Sequence, residues 1–413
     1  MTPVLRMVPA APSQRAGDAD APSTAIFGAS LEELILATAA CGLGIEVGAA
    51  LAVVRATPKE LGQLATELRT RGEAVVSAAL ERYLQPVRGW QLRTRTLPLD
   101  RPYIVGILNL TDDSFSGDGV GADVAAALRH AELLRAAGAD IIDVGAETAR
   151  ADRPVMDALE EARVVGPVVA ALSREGHIVS SDTYKALVAR TALVAGAEII
   201  NDISGLTLGT GAAQEAVGAG AGYVLNYSYS VPKRRPDSPP HYDDVVAETV
   251  AWMDPRIASL EALGLGRAQI AIDPGIAFGK SHDEDIQILR RVGELTTFGQ
   301  PLLLAHSRKN YIGSIGGQRP AGGGASGGGW PPAARDLETH ITSALAYEQG
   351  VRLFRVHDVE GTRRALEVAD ALSNAVAGQF APDGESWPWR EGASAPHMTI
   401  AAPDKRAPDG QRW

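Results

Sequence analysis

A regular alternation between short apolar runs and longer amphipathic segments, which begins at Tyr103, constrains the fold of this chain most. Near-continuous apolar strands separated by helices are typical of a parallel sheet whose two faces are both covered. Eight such units match a (β/α)8 TIM barrel, an α/β fold with a usual length of about 250 residues. The predicted strands are Tyr103–Asn109, Asp140–Gly145, His177–Thr183, Glu198–Ile203, Gly222–Ser228, Gln269–Gly275, Pro301–Ser307 and Arg352–Val359. An open doubly wound sheet is the alternative, because periodicity alone does not show that the sheet closes.

The predicted barrel occupies residues 91–375, and the regions on either side of it differ from it in composition. Residues 26–90 place Leu, Ile, Val and Ala at helical spacing, which predicts a small, mainly helical N-terminal region. Residues 1–25 and 376–413 are rich in Pro, Ala, Gly, Asp and Arg and lack a sustained period. Such segments bury too little apolar surface to offset the entropy that ordering costs, so we expect disordered tails there.

The charge and the cysteine content exclude several classes of protein. The 413 residues include 39 Lys and Arg against 50 Asp and Glu, a net charge of −11, which disfavours nucleic acid and anionic membranes as partners. Because Cys41 is the single cysteine, an internal disulfide framework is excluded. No apolar run reaches the roughly 18 residues of a transmembrane helix, and the first residues lack the apolar core of a signal peptide. We therefore expect a cytoplasmic protein.

Polar and charged residues stand at the carboxyl ends of the predicted strands, where TIM-barrel enzymes carry their active sites. In chain order they are Asn109, Asp143, Asp182, Asn201, Asn226, Asp273, the run Ser307-Arg308-Lys309, Arg355 and His357. Each would be costly to bury without a partner, so their recurrence favours a shared polar pocket. The carboxylates and amides suit a flat heterocycle with several N–H donors, and the cations suit an anion such as phosphate. The residues thus predict a ligand that combines a nitrogen-rich ring with a phosphate group.

Three polar residues of this region also have structural interpretations. Asp202 is as well suited to capping the loop that follows it as to binding a ligand, and Asp143 to pairing with a buried cation. The alternation of strand faces leaves His306 equally able to face the pocket or the surrounding helices. On the sequence alone, both interpretations stay open for each residue.

Six segments of this region resemble, in the same order, the signature motifs of the dihydropteroate synthase family. They are GILNLTDDSFSGDG (Gly106–Gly119), IIDVGAETAR (Ile141–Arg150), the segment Ser180–Gly205, AIDPGIAFGKS (Ala271–Ser281), HSRKNYIG (His306–Gly313) and FRVHDV (Phe354–Val359). Six ordered motifs are far more specific than one short pattern. The resemblance implies a pterin-binding TIM barrel that joins 6-hydroxymethyl-7,8-dihydropterin diphosphate to 4-aminobenzoate, giving 7,8-dihydropteroate and diphosphate.

Motif positions carry the family's binding roles onto individual residues. The resemblance implies that the pterin ring is bound by Asp182, Asn201, Asp273 and Lys309. It places Mg²⁺ and the diphosphate at Asn109, with Arg355 and His357 as further ligands of the diphosphate. Mg²⁺ and the cations would neutralise the charge of the departing diphosphate, and the carboxylates would stabilise the pterin-methyl cation left behind. We therefore expect a dissociative displacement without a covalent enzyme intermediate.

The resemblance assigns the second substrate in the same way. It places 4-aminobenzoate beside Phe115, Phe278, Lys309 and Asn310. It implies that loop residues Asp113, Ser114, Phe115 and Arg150 close over the site. The predicted catalytic residues are Asp182, Asp273, Lys309, Asp113 and Arg150. The resemblance also implies a homodimer formed through the last helices.

The chain departs from the family's pattern in the second motif and within the first. Residues 147–152 read ETARAD where Glu-Ser-Thr-Arg-Pro-Gly is usual, and Asp112 stands where proline is usual. We expect sulfonamide analogues of 4-aminobenzoate to bind more weakly as a result. Two other functions stay open. One is a pterin-dependent methyltransferase, which has no need of the cationic clusters, and the other is a non-catalytic paralogue that binds pterin or a partner protein.

Overall fold

The computed structural model describes residues 4–8, 22–28, 31–47, 52–111, 119, 121, 123–147, 154–229, 240–317 and 330–373. A four-stranded antiparallel sheet precedes the barrel. Its strands are β1 (Val4–Val8), β2 (Ser23–Gly28), β3 (Ile45–Val47) and β4 (Ala52–Ala56), in the spatial order β1-β2-β4-β3. Three helices accompany the sheet, namely α1 (Leu31–Ala40), α2 (Pro58–Thr70) and α3 (Ala74–Leu84).

This sheet corrects two expectations for the N-terminal region. Residues 1–25 are not disordered throughout, since β1 pairs with β2, and residues 26–90 contain strands as well as helices. Leu5 and Met7 of β1 enter an apolar core of their own together with Leu64 of α2. A five-residue strand in a Pro- and Ala-rich setting carries little local signal, and its pairing with β2 is a tertiary contact. The predicted tail at 376–413 lies outside the described residues.

Eight parallel strands follow a short antiparallel hairpin, β5 (Gly89–Gln91) and β6 (Thr96–Pro98). They are β7 (Tyr103–Asn109), β8 (Ile141–Gly145), β9 (Val179–Asp182), β10 (Ile199–Asp202), β11 (Gly222–Asn226), β12 (Ile270–Asp273), β13 (Leu303–Leu304) and β14 (Leu353–Val356). They pair in the order β12-β11-β10-β9-β8-β7-β14-β13, and a parallel bridge between Ile272 and Leu302 joins the two edges. The predicted (β/α)8 barrel is therefore confirmed, and every strand lies within its predicted run.

The helices that cover the barrel follow its strands along the chain. In the described residues they are α4 (Val124–Ala136), α5 (Ala158–Arg174), α6 (Ala186–Ala195), α7 (Gly211–Ala219), α8 (Val245–Leu263), α9 (His282–Arg290), α10 (Asn310–Gly317), α11 (Asp336–Glu348) and α12 (Val359–Ser373). Short 3₁₀ turns occupy Arg267–Gln269, Val292–Phe298 and Pro332–Ala334. None of the described helices is both long and apolar enough to cross a membrane. The cytoplasmic location stays a prediction.

The alternation of side chains along each strand divides the barrel residues into two layers. Outward-facing residues such as Ile142 pack against the helices in the largest apolar core. Inward-facing residues such as Ile141 and Leu353 fill the amino end of the interior beneath Trp90 of the hairpin. The indole N–H of Trp90 donates a 3.0 Å hydrogen bond to the carbonyl oxygen of Gln269. Residues two positions farther along these strands face the carboxyl mouth of the barrel.

Candidate active site at the carboxyl mouth of the barrel

The strand ends present a layer of polar side chains to the barrel interior. Its members are Asp143, Asp182, Asn201, Asn226, Asp273 and Arg355. The parallel register sets Asn201 beside Asp182, and Asn226 beside Asp273. Paired strands lie about 4.8 Å apart, so the side chains of such a layer are close neighbours. The predicted convergence of the pterin-binding side chains therefore holds for Asp182, Asn201 and Asp273.

Arg355 connects the carboxylates of two other strands across the mouth. Its Nε donates to Oδ2 of Asp143 at 2.6 Å, and its Nη2 donates to Oδ2 of Asp182 at 2.8 Å. Asn201 Nδ2 donates to the same oxygen of Asp143 at 3.1 Å. Within the described part of the chain, Oδ1 of the buried Asp143 has no hydrogen-bond partner. The cluster therefore offers a buried acceptor to a ligand that donates an N–H.

Burial sets the protonation behaviour of the acidic residues in this layer. It raises the pKa of the Asp182 carboxyl, a shift that the charge of Arg355 opposes and the charge of Asp143 reinforces. Burial also raises the pKa of Asp273, and the charge of Lys309 opposes that shift. Carboxyl groups with perturbed pKa values in a cleft are typical of functional sites. Both carboxyl groups are therefore suited to form hydrogen bonds with the ring nitrogens and N–H groups of a heterocycle.

Asp273 and Lys309 both form hydrogen bonds with the turn that follows β12. Oδ1 of Asp273 accepts a 2.8 Å hydrogen bond from the backbone N–H of Gly275. Lys309 comes from the loop after β13, donates to the carbonyl oxygen of Ile276 at 2.6 Å, and places its Nζ 4.9 Å from the ring centroid of Phe278. Burial lowers the pKa of Lys309 to about 8, against the opposing charge of Asp273. An ammonium group and an aromatic ring at this spacing are suited to a flat ligand that carries an acceptor.

A second lysine stabilises the same turn. Lys280 Nζ donates to the carbonyl oxygens of Pro274 and Gly275 at 2.9 and 3.1 Å. Oδ1 of the buried Asp285 accepts from the backbone N–H of Ala277 at 2.8 Å. Burial lowers the pKa of Lys280 and raises the pKa of Asp285. These contacts hold the backbone between β12 and α9 in place.

The predicted diphosphate ligands share one sector of the mouth, because β7 pairs directly with β14. Asn109 ends β7 and is half-buried. His357 lies two residues beyond Arg355, and its Nδ1 is 2.9 Å from Oγ of Ser307. Ser307 Oγ also accepts a 3.3 Å hydrogen bond from the backbone N–H of His357. An amide, a guanidinium group and an imidazole therefore line this side.

Two residues of the loop that carries Lys309 have hydrogen-bond partners on α11. Arg308 forms a bidentate ion pair with Asp336, the first residue of α11, at 2.7 and 2.8 Å, and its expected place among the anion-binding cations stays a prediction. His306 points outward, with Nε2 3.1 Å from the carbonyl oxygen of Thr339. Burial lowers the pKa of His306 to about 4, which makes it a neutral core histidine at physiological pH.

Several predicted site residues lie outside the described residues, namely Asp113, Ser114, Phe115 and Arg150, together with the departures at Asp112 and residues 148–152. Asn310 is described and exposed. Its Oδ1 accepts a 3.0 Å hydrogen bond from Nη1 of Arg335, which also donates to the carbonyl oxygen of Arg308 at 2.7 Å. Arg335 therefore orients the segment that carries Lys309 and Asn310. The roles of all predicted site residues stay predictions.

Sequence reasoning left Asp143 undecided and did not single out Lys280. The position of Asp143 was available from strand alternation, because Ile141 faces the interior two residues earlier. Asp143 pairs with Arg355, the buried cation that the structural interpretation required, and it also accepts a hydrogen bond from Asn201. Asp202 faces the other way and accepts from the backbone N–H of Ser204 at 2.7 Å, which confirms its capping role.

The Mg²⁺ that the family resemblance implies would fit this mouth as an ion that takes most of its ligands from phosphate oxygens and water. Among the described residues, no group of three or more His, Cys, Asp or Glu side chains is placed to hold a metal ion. Mg²⁺ prefers oxygen ligands and commonly takes only one or two from the protein, with phosphate oxygens and water completing its shell. The amide oxygen of Asn109, beside the predicted diphosphate ligands, suits such a ligand set.

Comparison with known sequences points to one family. A family model described as a pterin binding enzyme matches residues 105–357, which run from β7 to just beyond β14. The dihydropteroate synthase of Mycobacterium leprae is 37% identical over 272 residues, which cover 66% of this chain and 94% of that protein. The N-terminal sheet lies outside the segment that the family model matches.

Solved structures agree with the sequence comparison. The dihydropteroate synthase of Yersinia pestis, in a sulfonamide drug complex, matches with a TM-score of 0.63 and 33% identity over 70% of this chain and 100% of its own. The enzyme of Thermus thermophilus, in complex with 4-aminobenzoate, matches with a TM-score of 0.59 and 35% identity over 69% of this chain and 100% of its own.

Proposed function

This chain belongs to the dihydropteroate synthase family, and we propose how its own residues bind and join the two substrates of that reaction. It is an enzyme of folate biosynthesis that condenses 6-hydroxymethyl-7,8-dihydropterin diphosphate with 4-aminobenzoate, giving 7,8-dihydropteroate and diphosphate. The observation that carries the residue assignment is the pairing of Arg355 with Asp143 and Asp182 at the mouth of the barrel. Carboxylates and a cation at one place match a ligand with N–H donors at one end and phosphate at the other.

The pterin ring binds across the layer of Asp182, Asn201 and Asp273. The amino group and the ring N–H groups of a pterin donate to carboxylate oxygens, and its oxo group accepts from an ammonium group such as that of Lys309. Oδ1 of Asp143 supports this arrangement, because it is buried and has no hydrogen-bond partner in the described chain. A buried acceptor of that kind costs free energy until a ligand donor reaches it.

The diphosphate leaves on the side of Asn109, Arg355 and His357. Breaking the bond between the methylene carbon and the diphosphate oxygen puts negative charge on the leaving group, which the guanidinium group stabilises. The pterin-methyl cation left behind is stabilised by the carboxylates of Asp182 and Asp273. When bound with the diphosphate at Asn109, Mg²⁺ supplies further positive charge to the leaving group. The reaction is a dissociative displacement that needs no bond to the protein.

The aminobenzoate binds on the side of Phe278, Lys309 and Asn310. The Phe278 ring supplies an apolar surface for the aromatic ring of the substrate, and the Lys309 ammonium lies against that surface. Asn310 is held by Arg335, so its amide presents a fixed orientation to this side. The amine nitrogen of the substrate then attacks the methylene carbon, forms the new C–N bond and releases a proton. The bound amine must reach this carbon before water does, because hydrolysis would otherwise compete.

A homodimer through α11 and α12 is part of the proposal. Leu337, Ile341 and Leu345 recur at every fourth position of α11 and are 65%, 52% and 62% exposed. Val368 and Leu372 of α12 are 60% and 76% exposed. Apolar side chains grouped in this way are typical of an interface between protein chains. We expect Ile341→Glu to convert a dimer into a monomer in analytical ultracentrifugation, and a wild-type monomer would contradict the proposal.

Turnover by the purified full chain tests the assignment. The chain is incubated with the pterin diphosphate, labelled 4-aminobenzoate and Mg²⁺, and we expect labelled dihydropteroate. Binding of the pterin without product would favour the non-catalytic paralogue. Mass spectrometry of the quenched reaction should find the protein at its unmodified mass. A substrate adduct on any side chain would exclude the dissociative route proposed here.

A further inference from the structure

The turn that follows β12 is held by Lys280, a residue that contacts neither substrate in the proposed assignment. Nζ of Lys280 donates to the carbonyl oxygens of Pro274 and Gly275 at 2.9 and 3.1 Å. The same atom lies 3.5 Å from the ring centroid of Tyr227, the first residue after β11. An ammonium group over the face of an aromatic ring is attracted by the electrons of that ring. One side chain therefore joins the turn to the neighbouring strand end.

The backbone of Phe278, which is assigned to 4-aminobenzoate, lies between two anchored carbonyl groups of this turn. Its N–H donates to the carbonyl oxygen of Gly275 at 3.1 Å, so Phe278 and Lys280 share one acceptor. On the other side of Phe278, the carbonyl oxygen of Gly279 accepts a 3.2 Å hydrogen bond from the hydroxyl of Tyr242. Side-chain donors thus fix the backbone before and after the aromatic residue.

The same turn supplies the acceptor of Lys309. Nζ of Lys309 donates to the carbonyl oxygen of Ile276 at 2.6 Å and lies 4.9 Å from the ring centroid of Phe278. Ile276 directly follows Gly275, whose carbonyl group Lys280 holds. A shift of the turn therefore changes the position of the Phe278 ring relative to the Lys309 ammonium, and both groups are assigned to 4-aminobenzoate.

The pterin-binding layer has anchors of its own. Because β12 pairs with β11, the backbone carbonyl oxygen of Asp273 accepts a 2.8 Å hydrogen bond from the backbone N–H of Tyr227. Asp182 and Asn201 end or lie within other strands of the barrel, β9 and β10. Loss of the contacts of Lys280 should therefore disturb Phe278 more than the carboxylates and the amide that bind the pterin.

We propose that Lys280 is a positioning residue for 4-aminobenzoate, because it holds the turn that sets the Phe278 ring against Lys309. The proposal rests on the proposed function. Without the Lys280 ammonium, two carbonyl groups of the turn lose a donor, and the turn loses its contact with the Tyr227 ring. Since displacement by about 1 Å can reduce a rate about a hundredfold, a small shift of the turn is enough to weaken productive binding of the second substrate.

Steady-state kinetics of Lys280→Met, with a matched control, test the proposal. We expect the KM for 4-aminobenzoate to rise about tenfold or more, while the Kd of the pterin diphosphate, measured by calorimetry, changes less than about threefold. Lys280→Arg keeps a cationic donor and should restore most of the wild-type KM.

The control is Arg267→Met, three residues before the start of β12 and at the amino end of the barrel. Nη2 of Arg267 donates to the carbonyl oxygens of Arg82 and Phe298 at 2.8 and 3.1 Å. This variant also removes a cation from two backbone carbonyl groups, but at a distance from the mouth. It should lower the melting temperature and leave both constants unchanged.

Each alternative outcome has its own signature. If Lys280→Met does not fold, Lys280→Gln, which keeps a polar donor without the charge or the reach of lysine, should raise the same KM. Equal profiles for the Lys280 and Arg267 variants, or a pterin Kd that rises as much as the KM for 4-aminobenzoate, would reduce Lys280 to a purely structural role. A wild-type chain without turnover would contradict the proposed function itself. An active wild-type chain with an unaffected Lys280→Met variant would overturn the inference alone.

Discussion

The two ends of the barrel interior are lined by the same strands and by opposite kinds of side chain. At the amino end, Ile141 and Leu353 pack beneath Trp90, whose single polar group is bonded to a backbone carbonyl. Two positions farther along the same strands, Asp143 and Arg355 face the carboxyl end. The amino end is satisfied by the protein alone, whereas Asp143 keeps a buried oxygen without a partner among the described residues. Apolar packing stabilises the fold at the amino end, and polar groups without a protein partner are available to a ligand at the carboxyl end.

The backbone follows the same division. Among the described residues, the non-glycine positions with positive φ are Leu206, Ala277 and Arg308, at 65°, 66° and 58°. All three lie in loops that follow barrel strands at the carboxyl end. The left-handed conformation costs an L-residue about 1–2 kcal/mol, and such strain is concentrated at functional sites in many proteins. The carboxyl end thus contains both the buried polar atom without a partner and the strained backbone conformations, and each of them costs free energy of folding.

Replacement of Arg355 by Met should separate the two ends most clearly. It leaves Asp143 and Asp182 buried without their cation, a change that costs about 3–5 kcal/mol, and it removes charge stabilisation from the leaving diphosphate. We expect kcat/KM to fall about a thousandfold or more in steady-state assays. Arg352→Met, one residue before the same strand at its amino end, is the matched control and should stay within about threefold of wild type. Similar losses in both variants would contradict the division.

Trp90→Ala should have the opposite signature. Loss of the buried indole from the amino end costs about 3–5 kcal/mol of unfolding free energy, measured by urea denaturation. The Kd of the pterin diphosphate should change less than about twofold, because the Trp90 side chain packs at the amino end, away from the pterin-binding layer. Trp90→Phe keeps much of the apolar volume but loses the hydrogen bond to Gln269, so we expect a cost of about 1–2 kcal/mol. A pterin affinity that falls in step with stability would show that the ends are coupled.

The affinity for the pterin diphosphate should depend on pH through Lys309. Burial lowers the pKa of this group to about 8, and only its protonated form offers a charge-assisted hydrogen bond to the pterin oxo group. The charge is lost as pH rises through that value, so affinity should fall by up to about tenfold per pH unit above about pH 8.5. Calorimetric titration of wild type and Lys309→Arg, which stays charged, measures the difference. A wild-type profile as flat as that of the arginine variant would remove Lys309 from the pterin site.

The smallest effect is expected for Ala277→Gly. Glycine adopts the φ of 66° without steric cost, which offsets the extra entropy of the unfolded chain. We expect stability to stay equal or to rise by up to about 1 kcal/mol in urea denaturation. Ala258→Gly, in the exposed middle of α8, is the control and should cost about 1 kcal/mol. Equal losses at the two positions would mean that the loop after β12 stores no strain.

The predictions from sequence succeeded where the signal was local. Apolar runs located all eight barrel strands, and the position of polar residues at the carboxyl ends of those strands, Asp182 and Asp273 among them, located the mouth. The predictions failed where a distant partner decided the outcome. The pairing of β1 with β2 replaced part of an expected tail, and the ion pair of Arg308 with Asp336 was not predicted. The ion pairs of Lys185 with Glu147 and Glu161 carried no sequence signal, because the two glutamates come from other segments of the chain.

The amino-acid sequence by itself determined the eight βα units, the polar character of their carboxyl ends and the ordered motifs of a pterin-binding synthase. These properties depend on neighbours within one turn of a helix or a few residues of a strand, so they can be read along the chain. Only the tertiary structure decided which polar groups meet. Arg355 and Asp143 are 212 residues apart in sequence, and closure of the barrel brings them within 2.6 Å. A contact of that kind is set by strand order and register, because periodicity assigns a side chain to a face but not to a partner.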